Sequence, residues 1–176
     1  MKKGDSNMEF LELARNRYSE RSFAAKPVEE EKIYKILEAG RIAPTACNNQ
    51  PQRFYVLKSK AALNKAAKLT RTYNAPVVVL VCYVESDAWH NPRDGFCSGD
   101  MDASIAASSM MFEAEDLGVH SIWLRGFDSG AVQTAFELPV GTIPSLMLAL
   151  GYPTANAAPF KLHGEREPME EFVVEL

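Results

Sequence analysis

The chain has 176 residues, of which 47% are hydrophobic, 10% aromatic and 24% charged. This length and composition are typical of one soluble globular domain and exclude disordered, collagen-like and low-complexity chains. The formal net charge of −4 excludes a general attraction to nucleic acid or anionic membranes, so any basic site has to be local.

Cysteine usage and the N-terminus favour a reducing compartment. Cys47, Cys82 and Cys97 form an odd and sparse set, unlike the paired framework of a small secreted protein. The first residues are charged and then polar, without the apolar segment of an export signal. The apolar run over 76–83 is far shorter than the ~20 residues that cross a bilayer. We therefore expect a cytoplasmic protein with no membrane or nucleic-acid partner.

Hydrophobic periodicity and capping residues predict helices and strands that interleave along the chain. In chain order, the predicted elements are a helix over 8–18 capped by Ser6 or Asn7, a helix after Pro27, a strand over 53–58, a helix over 60–70, a strand over 76–84 buried on both faces, a helix over 101–117, a strand over 119–124, a helix over 131–138 and a strand over 145–152. Because no strict βαβ repeat, internal repeat or linker is visible, we expect a single α+β domain over 1–176, or a mixed α/β sandwich.

The C-terminal segment 153–176 is predicted to be an extended arm. Residues 153–171 are too polar to fold alone, yet they lead into FVVEL at 172–176, a β-prone segment with no nearby pairing partner. We expect this arm to pack on a neighbouring subunit; the alternative is a frayed tail.

Two basic clusters could bind a phosphate. The first holds Arg17, Tyr18, Ser19 and Arg21 at the exit of a helix, where two guanidinium groups and a hydroxyl suit phosphate oxygens. The second is the run at 161–166, which could return further cations to the same phosphate. The alternative readings are a solvated helix end, where Arg complements the helix dipole, and a solvated charge run.

Two loops could face a ligand with alternating donors and acceptors. The loop at 44–51 is bracketed by prolines and rich in Asn and Gln, whose amides match the edge of a pyrimidine-like ring. A second loop follows a predicted strand at Leu124, where Gly126 permits close backbone approach. Taken alone, an Asn-rich turn between a helix and a strand is usually only a turn.

Together and in this order, these clusters resemble the FMN-dependent nitroreductase family from about residue 10 to the end. The matching segments are Arg17-Tyr18-Ser19 with Arg21, the loop Pro44–Pro51, the small-residue helix opened by Asp102 and closed at Gly118, the strand at Ser121–Trp123, and the turn Gly151-Tyr152-Pro153. The resemblance implies an α+β fold: a three-layer α/β/α sandwich with a mixed, mainly antiparallel central sheet and extended terminal arms.

The resemblance also implies a homodimer with two shared FMN sites, electrons from NAD(P)H, and a nitroaromatic, quinone or similar electron-poor acceptor, in a ping-pong mechanism. It implies neither a catalytic side chain nor a metal. The implied cofactor-binding residues are Arg17, Tyr18, Ser19, Arg21, Arg166 and His163 for the phosphate and ribityl chain, Pro44, Thr45, Asn48 and Gln50 for the isoalloxazine across the dimer interface, and Leu124, Arg125 and Gly126 along its other side.

The chain departs from the family pattern at several positions. Cys47 stands where the family usually has glycine, Gln52 where it often has tryptophan, and Arg125 where well-known members have an acid. The stretch 86–99 is too short for the family's large lid insertion, so we expect a more open substrate pocket. Lys68 and Arg71 are further candidate phosphate contacts that no motif selects.

Three alternatives remain open from the sequence. The fold could hold FMN as a non-catalytic sensor, carrier or storage protein. Cys47 could be a hydrolase nucleophile with His120 or His163 as its base, although a free cysteine is more often inert. A metal site could use His90, Cys97 and Asp100, but their spacing matches no zinc pattern.

Overall fold

A computed structural model describes residues 9–176; the predicted cap at Ser6 or Asn7 and the helix start at Met8 lie outside the described residues. The helices and strands follow one another as α1 (Phe10–Asn16), α2 (Glu30–Arg41), β1 (Gln52–Leu57), α3 (Lys60–Leu69), β2 (Val77–Val84), α4 (Gly99–Asp116), β3 (His120–Leu124), α5 (Ser129–Ala135) and β4 (Thr142–Gly151).

The four strands form one sheet in the order β1-β2-β4-β3, and each neighbouring pair is antiparallel. A single parallel bridge joins Ser19 to Ser121 beside β3. Val77–Cys82 of β2 are buried without a break, as the uninterrupted apolar run predicted for a strand covered on both faces. The sheet is therefore mixed and mainly antiparallel, as expected.

Helices cover both faces of the sheet. On one face, the alternate residues Val77, Val79 and Val81 of β2 share a core with α2 and α4. On the other, Val78 and Leu80 share a core with α3 and α5. The two cores make three layers, which confirms the α/β/α sandwich of the α+β class.

Local sequence explains where several helices begin, end and approach. The Ser59 hydroxyl accepts from Ala62 N at the start of α3, and the Asp128 carboxylate accepts from Ala131 N at the start of α5. Gly118, with φ of 68°, ends α4. At Gly40, an added Cβ would lie 2.8 Å from the Met110 side chain, so the glycine is what lets α2 pack closely on α4.

Several predicted segments differ from the structure in their bounds; the strand expected over 145–152 occupies Thr142–Gly151. The helix expected over 131–138 occupies Ser129–Ala135, because the Asp128 cap starts it two residues earlier. The β-prone segment 172–176 is not a strand, since a strand needs a partner edge and the single chain gives it none. Among residues 9–176, no helix combines the length and apolar composition needed to cross a lipid bilayer.

Candidate functional site

Two distant segments of the chain meet beyond the end of α1 and enclose a pocket of about 210 Å³. We call it the arginine pocket. Its lining residues are Arg17, Tyr18, Ser19, Arg21, Phe160, Leu162, His163 and Arg166. All six residues that the resemblance implied for a phosphate and ribityl chain therefore lie around one space within a single chain.

The C-terminal turn is held in this pocket by polar and ring contacts. His163 Nε2 lies 3.0 Å from the Arg15 carbonyl oxygen, and its ring stands edge-on to that of Tyr18, with centroids 6.0 Å apart. The Arg166 guanidinium donates to the His163 carbonyl at 2.7 Å. Arg21 stacks its guanidinium over the Phe160 ring, 5.6 Å from the centroid. These contacts bring the second basic cluster to the first.

The donor chemistry of the arginine pocket fits a phosphate monoester. Its lining carries three guanidinium groups, the hydroxyls of Tyr18 and Ser19 and an imidazole, and no carboxylate. Arg17 Nε is buried and has no hydrogen-bond partner among the described residues 9–176. A buried N–H of this kind is costly unless a ligand accepts from it, and phosphate oxygens accept from Arg in a fixed, planar geometry.

Acidic side chains lie beside the pocket rather than in its lining. Glu20, 1% exposed, accepts from the Tyr18 hydroxyl at 2.8 Å and from Ser22 N at 2.7 Å. Burial and the Glu20 hydrogen bond raise the pKa of Tyr18 to about 12, so its hydroxyl remains protonated and donating at neutral pH. Tyr18 therefore links the acids beside the pocket to the pocket wall.

Glu115 and His120 belong to the same polar cluster. The His120 ring lies edge-on to Tyr18, 5.1 Å between centroids, and its Nδ1 is 3.7 Å from Glu20 Oε2. Burial raises the pKa of the Glu115 carboxyl, while the positive charges of His120, Arg17 and His163 oppose the rise. Glu115 thus supplies negative charge near Arg17 without lining the pocket.

A second pocket, of about 470 Å³, shares Arg21 with the arginine pocket. We call it the polar pocket. The other side chains in its lining include Arg71, Asn74 and Thr154, and Arg71 stacks on Tyr73 with its Cζ 4.8 Å from the ring centroid. Sequence reasoning mentioned Arg71 without a motif and missed Asn74. No local signal could have found them, because tertiary folding alone brings the segment after α3 next to Arg21.

The amide loop, Pro44–Pro51, leaves most of its side chains exposed. Pro44, Asn48 and Gln50 are exposed, and none of the loop's residues lines the arginine pocket of the same chain. Gln50 N donates to Thr45 Oγ1 at 3.1 Å. The loop therefore makes hydrogen bonds within itself, and it lies outside the pocket whose cations the resemblance places around the same cofactor.

The loop's backbone explains one departure from the family pattern. Cys47, Asn48 and Gln50 have φ values of 52°, 55° and 53°, in the left-handed region that only glycine adopts without cost and that Asn tolerates. A glycine suits the backbone at position 47. Cys47 keeps the loop in that conformation with an exposed thiol.

The loop after β3 presents backbone rather than side chains. Leu124 is buried in the core, so only its main chain could touch a ligand. Arg125 donates to the Phe127 carbonyl at 3.2 Å and to Ser129 Oγ at 3.3 Å. Gly126 is exposed, with no atom within 4 Å of where a Cβ would lie. A planar ligand could therefore approach this backbone closely.

A third cavity, of about 500 Å³, is the α2–β1 groove. Its lining consists of Tyr34, Leu37, Glu38, Arg41, Gln50, Gln52, Arg53 and Phe54. Gln52 is 8% exposed, and its Oε1 is buried without a hydrogen-bond partner in the chain. Gln52 stands where the family often has tryptophan, so a hydrogen-bond acceptor, its Oε1, takes the place of a large ring at this groove.

The alternatives for Cys47 and for a metal find no support in the geometry. His120 and His163 contact Tyr18 beside the arginine pocket, which the amide loop containing Cys47 does not line. His90 and Cys97 are joined by a β-bridge. Within the described range 9–176, however, no three His, Cys, Asp or Glu side chains lie close enough to hold a metal ion.

Comparison with known proteins agrees with this fold. The model of the Nitroreductase family matches residues 14–73 and 64–152. A Methanothermobacter thermautotrophicus protein, provisionally named NADH dehydrogenase/NAD(P)H nitroreductase, is 30% identical over 159 residues, covering 86% of this chain and 81% of that protein. The chain therefore belongs to the nitroreductase family, and the resemblance inferred from its motifs is confirmed.

Solved structures extend the likeness to three dimensions. A nitroreductase family protein from Clostridium difficile 630 superimposes with a TM-score of 0.89 and 38% identity, covering 95% of this chain and 98% of that one. A Desulfovibrio desulfuricans protein, provisionally classed as a nitroreductase and crystallised in complex with FMN, gives a TM-score of 0.78 at 26% identity, covering 97% and 98% of the two chains.

Proposed function

We propose that this chain is an NAD(P)H-dependent FMN oxidoreductase that works as a homodimer and reduces nitroaromatic, quinone or similar electron-poor acceptors. The observation that carries the proposal is the arginine pocket, with three guanidinium groups, a serine hydroxyl and no carboxylate in its lining. That donor set fits the terminal phosphate of FMN and fits no neutral ligand equally well.

Arg17, Ser19 and Arg166 would hold the phosphate. Arg17 Nε, buried and unpaired, would gain the acceptor it lacks. Arg21 lines both the arginine pocket and the polar pocket, so it would bridge the phosphate end and the ring end of the cofactor. In the polar pocket, Arg71 adds a cation where negative charge develops on reduction.

The amide loop would complete the site from the second copy. Its Asn48 and Gln50 side chains are exposed within one chain, and their amides offer both donors and acceptors to a pyrimidine edge. Leu124, Arg125 and Gly126 would lie along the other side of the ring through their backbone. The shared site would thus need two protomers related by a two-fold axis.

The arm 153–176 would bind the partner subunit beyond its turn in the arginine pocket. Phe172, Val173, Val174 and Leu176 are all exposed in the single chain. A contiguous apolar segment of this kind marks an interaction surface. Its β-prone sequence suits addition to a sheet edge of the second copy.

Bound FMN supplies the hydride and electron transfer between NAD(P)H and the acceptor. In the proposed ping-pong order, the oxidised nicotinamide, NAD(P)+, leaves before the acceptor enters the same space. We name no general acid or nucleophile of the chain for this reaction. Its residues bind the phosphate, orient the ring and place positive charge near the pyrimidine edge. The FMN complex of the Desulfovibrio relative and the name of the Methanothermobacter relative support this proposal.

The first test is the visible absorption spectrum of the purified protein, followed by reconstitution with FMN. We expect a yellow protein that oxidises NADH or NADPH with a quinone or nitroaromatic acceptor. A colourless protein that cannot be reconstituted contradicts the proposal. Stoichiometric FMN without turnover on any acceptor would favour the alternative, a sensor, carrier or storage protein.

A mixed dimer tests whether the site is shared. Arg17→Ala and Asn48→Ala chains, carrying different tags, are co-expressed and the heterodimer is purified. If one protomer supplies Arg17 and the other Asn48, the heterodimer regains about one intact FMN site where the wild-type dimer has about two. If both residues serve the same chain's site, each site keeps one lesion and binding is not restored.

A further inference from the structure

A buried carboxylate anchors the amide loop to the first turn of α4. Asp102 is 2% exposed. Its Oδ1 accepts from Ala46 N, inside the loop, at 2.9 Å, and its Oδ2 accepts from the Ser98 hydroxyl at 2.7 Å. The Ser98 oxygen in turn accepts from Trp89 N at 3.1 Å. Two loops that are far apart in sequence are therefore joined through one side chain.

Each carboxylate oxygen of Asp102 has a hydrogen-bond donor within the protein. An isolated buried carboxylate is costly, but here two donors point at its two oxygens. It also lies in the first turn of the 18-residue helix α4, where the helix dipole favours negative charge. The two hydrogen bonds hold the carboxylate in one orientation, with Oδ1 directed at Ala46 N of the loop.

The loop requires such an anchor. Cys47, Asn48 and Gln50 all have left-handed backbone, which non-glycine residues hold only where surrounding contacts impose it. Within the loop, Gln50 N donates to Thr45 Oγ1 and Asn48 N to the Thr45 carbonyl. The bond from Ala46 N to Asp102 ties the loop to the body of the protein at the residue just before the left-handed run.

We infer that Asp102 is a positioning residue: its buried carboxylate holds the amide loop in the conformation in which the loop's amides meet the flavin of the second copy. This inference rests on the proposed function, because it gives the loop a cofactor to face. Asp102 does not touch that cofactor and acts through the loop.

Amide hydrogen exchange in the full-length protein, prepared without flavin, tests the anchor directly. In Asp102→Ala, we expect exchange over 44–51 to accelerate roughly tenfold to a hundredfold, the scale of losing a hydrogen bond to a charged group. The FMN dissociation constant should rise roughly tenfold or more for the same reason, with a shift of the bound flavin's visible absorption bands. Asp102→Asn keeps an acceptor for Ala46 N, so it should restore both the slow exchange over 44–51 and the FMN dissociation constant.

Asp100→Ala is the matched control. Asp100 lies on the same helical turn but accepts from the Ser145 hydroxyl of β4 instead of from the loop, so exchange over 44–51 should stay as in the wild type. If Asp102→Ala does not fold, Ser98→Ala replaces it: losing the hydroxyl that orients the carboxylate should accelerate exchange over both 44–51 and 85–98.

Unchanged exchange over 44–51 in the folded Asp102 or Ser98 variants overturns the inference. Faster exchange with an unchanged FMN dissociation constant and spectrum also overturns it, because the loop would then not be positioned for the flavin. If the wild type binds no FMN, the proposed function fails instead, and the exchange result still decides whether Asp102 anchors the loop.

Discussion

The arginine pocket and the amide loop differ in how much of each is built within one chain. The pocket closes on itself, because the C-terminal turn returns His163 and Arg166 to the cations at 17–21. The loop is ordered by Asp102, yet it turns its amides outward. Under the proposed function, a single protomer would therefore be enough to bind the phosphate, whereas recognition of the ring would require the second protomer.

Of the variants proposed for testing this comparison, the deletion of Met169–Leu176 should have the largest effect, and the effect should be on dimerisation. The deletion removes five exposed apolar side chains, each worth about 1.5–3 kcal/mol when buried in an interface. We expect the dimer dissociation constant to rise by several powers of ten, measured by sedimentation velocity over a concentration series. The arginine pocket, whose lining ends at Arg166, should persist in the monomer.

A full-length chain with Glu170→Gln and Glu171→Gln is the control for the deletion. It keeps the apolar side chains and changes only charge near them. We expect it to remain dimeric. A deletion variant that is as dimeric as the wild type would show that the arm does not hold the partner.

Arg17→Ala tests the contribution of the arginine pocket to FMN binding. Losing a charged hydrogen-bond donor to the phosphate should weaken FMN binding by about 1.5–3 kcal/mol, measured by fluorescence titration. Arg93→Ala, which removes an exposed arginine from the loop at 91–96, should leave the affinity unchanged. Equal affinities for the wild type and Arg17→Ala would leave Arg17 with a purely structural role.

Cys47→Gly tests the backbone strain in the amide loop. At φ of 52° a side chain costs roughly 1–2 kcal/mol, while glycine costs roughly 0.5–1 kcal/mol in unfolded-state entropy. We therefore expect a net gain of up to about 1 kcal/mol in the free energy of unfolding, measured with denaturant in the flavin-free protein. Cys82→Ala, in the buried strand β2, should destabilise instead, and a destabilised Cys47→Gly would contradict the strain argument.

Glu115→Gln should have the smallest effect, and the effect should depend on pH. Because burial raises the pKa of Glu115 above its ordinary value of 4.5, the folded state binds its proton more tightly than the unfolded chain does. The wild type therefore loses stability as the pH rises from about that value through the raised pKa, and the penalty is complete above it.

We accordingly expect Glu115→Gln to be the more stable protein at neutral pH, by less than about 1 kcal/mol because the side chain is only half-buried. The difference should shrink as the pH falls below the ordinary carboxyl value. Thermal unfolding between pH 4 and pH 8 measures it, with the exposed Asp116→Asn as control. A difference that grows toward acid pH would have the wrong sign.

Sequence reasoning reached most of the fold because its signals are local. The apolar run at 76–84 predicted β2 to within one residue, and Gly118 predicted the end of α4. The β-prone end of the arm forms no strand within this chain, because strand pairing depends on non-local contacts. Its packing on a partner subunit stays a prediction. The start of α5 was missed because the cap at Asp128 was read as part of the preceding loop.

The candidate site, too, could be predicted where its signals are local and could not where they depend on tertiary contacts. The clusters at 17–21 and 161–166 could be predicted, since guanidinium groups in an acidic chain already suggest an anion. Asn74 and the anchoring role of Asp102 could not, because each matters only through a contact that tertiary folding creates. Asp102 was visible in the sequence as the start of a helix, and its hydrogen bond to Ala46 was not.

The three thiols differ in exposure, which allows one of them to be labelled selectively. Cys82 is buried, which raises the pKa of its thiol to about 12, and Cys97 is partly covered, whereas Cys47 stands open in the amide loop. A nitroxide spin label should therefore attach at Cys47 without engineered cysteines. Pulsed electron paramagnetic resonance would then give the distance between the two loops of a dimer, and its change when cofactor is added.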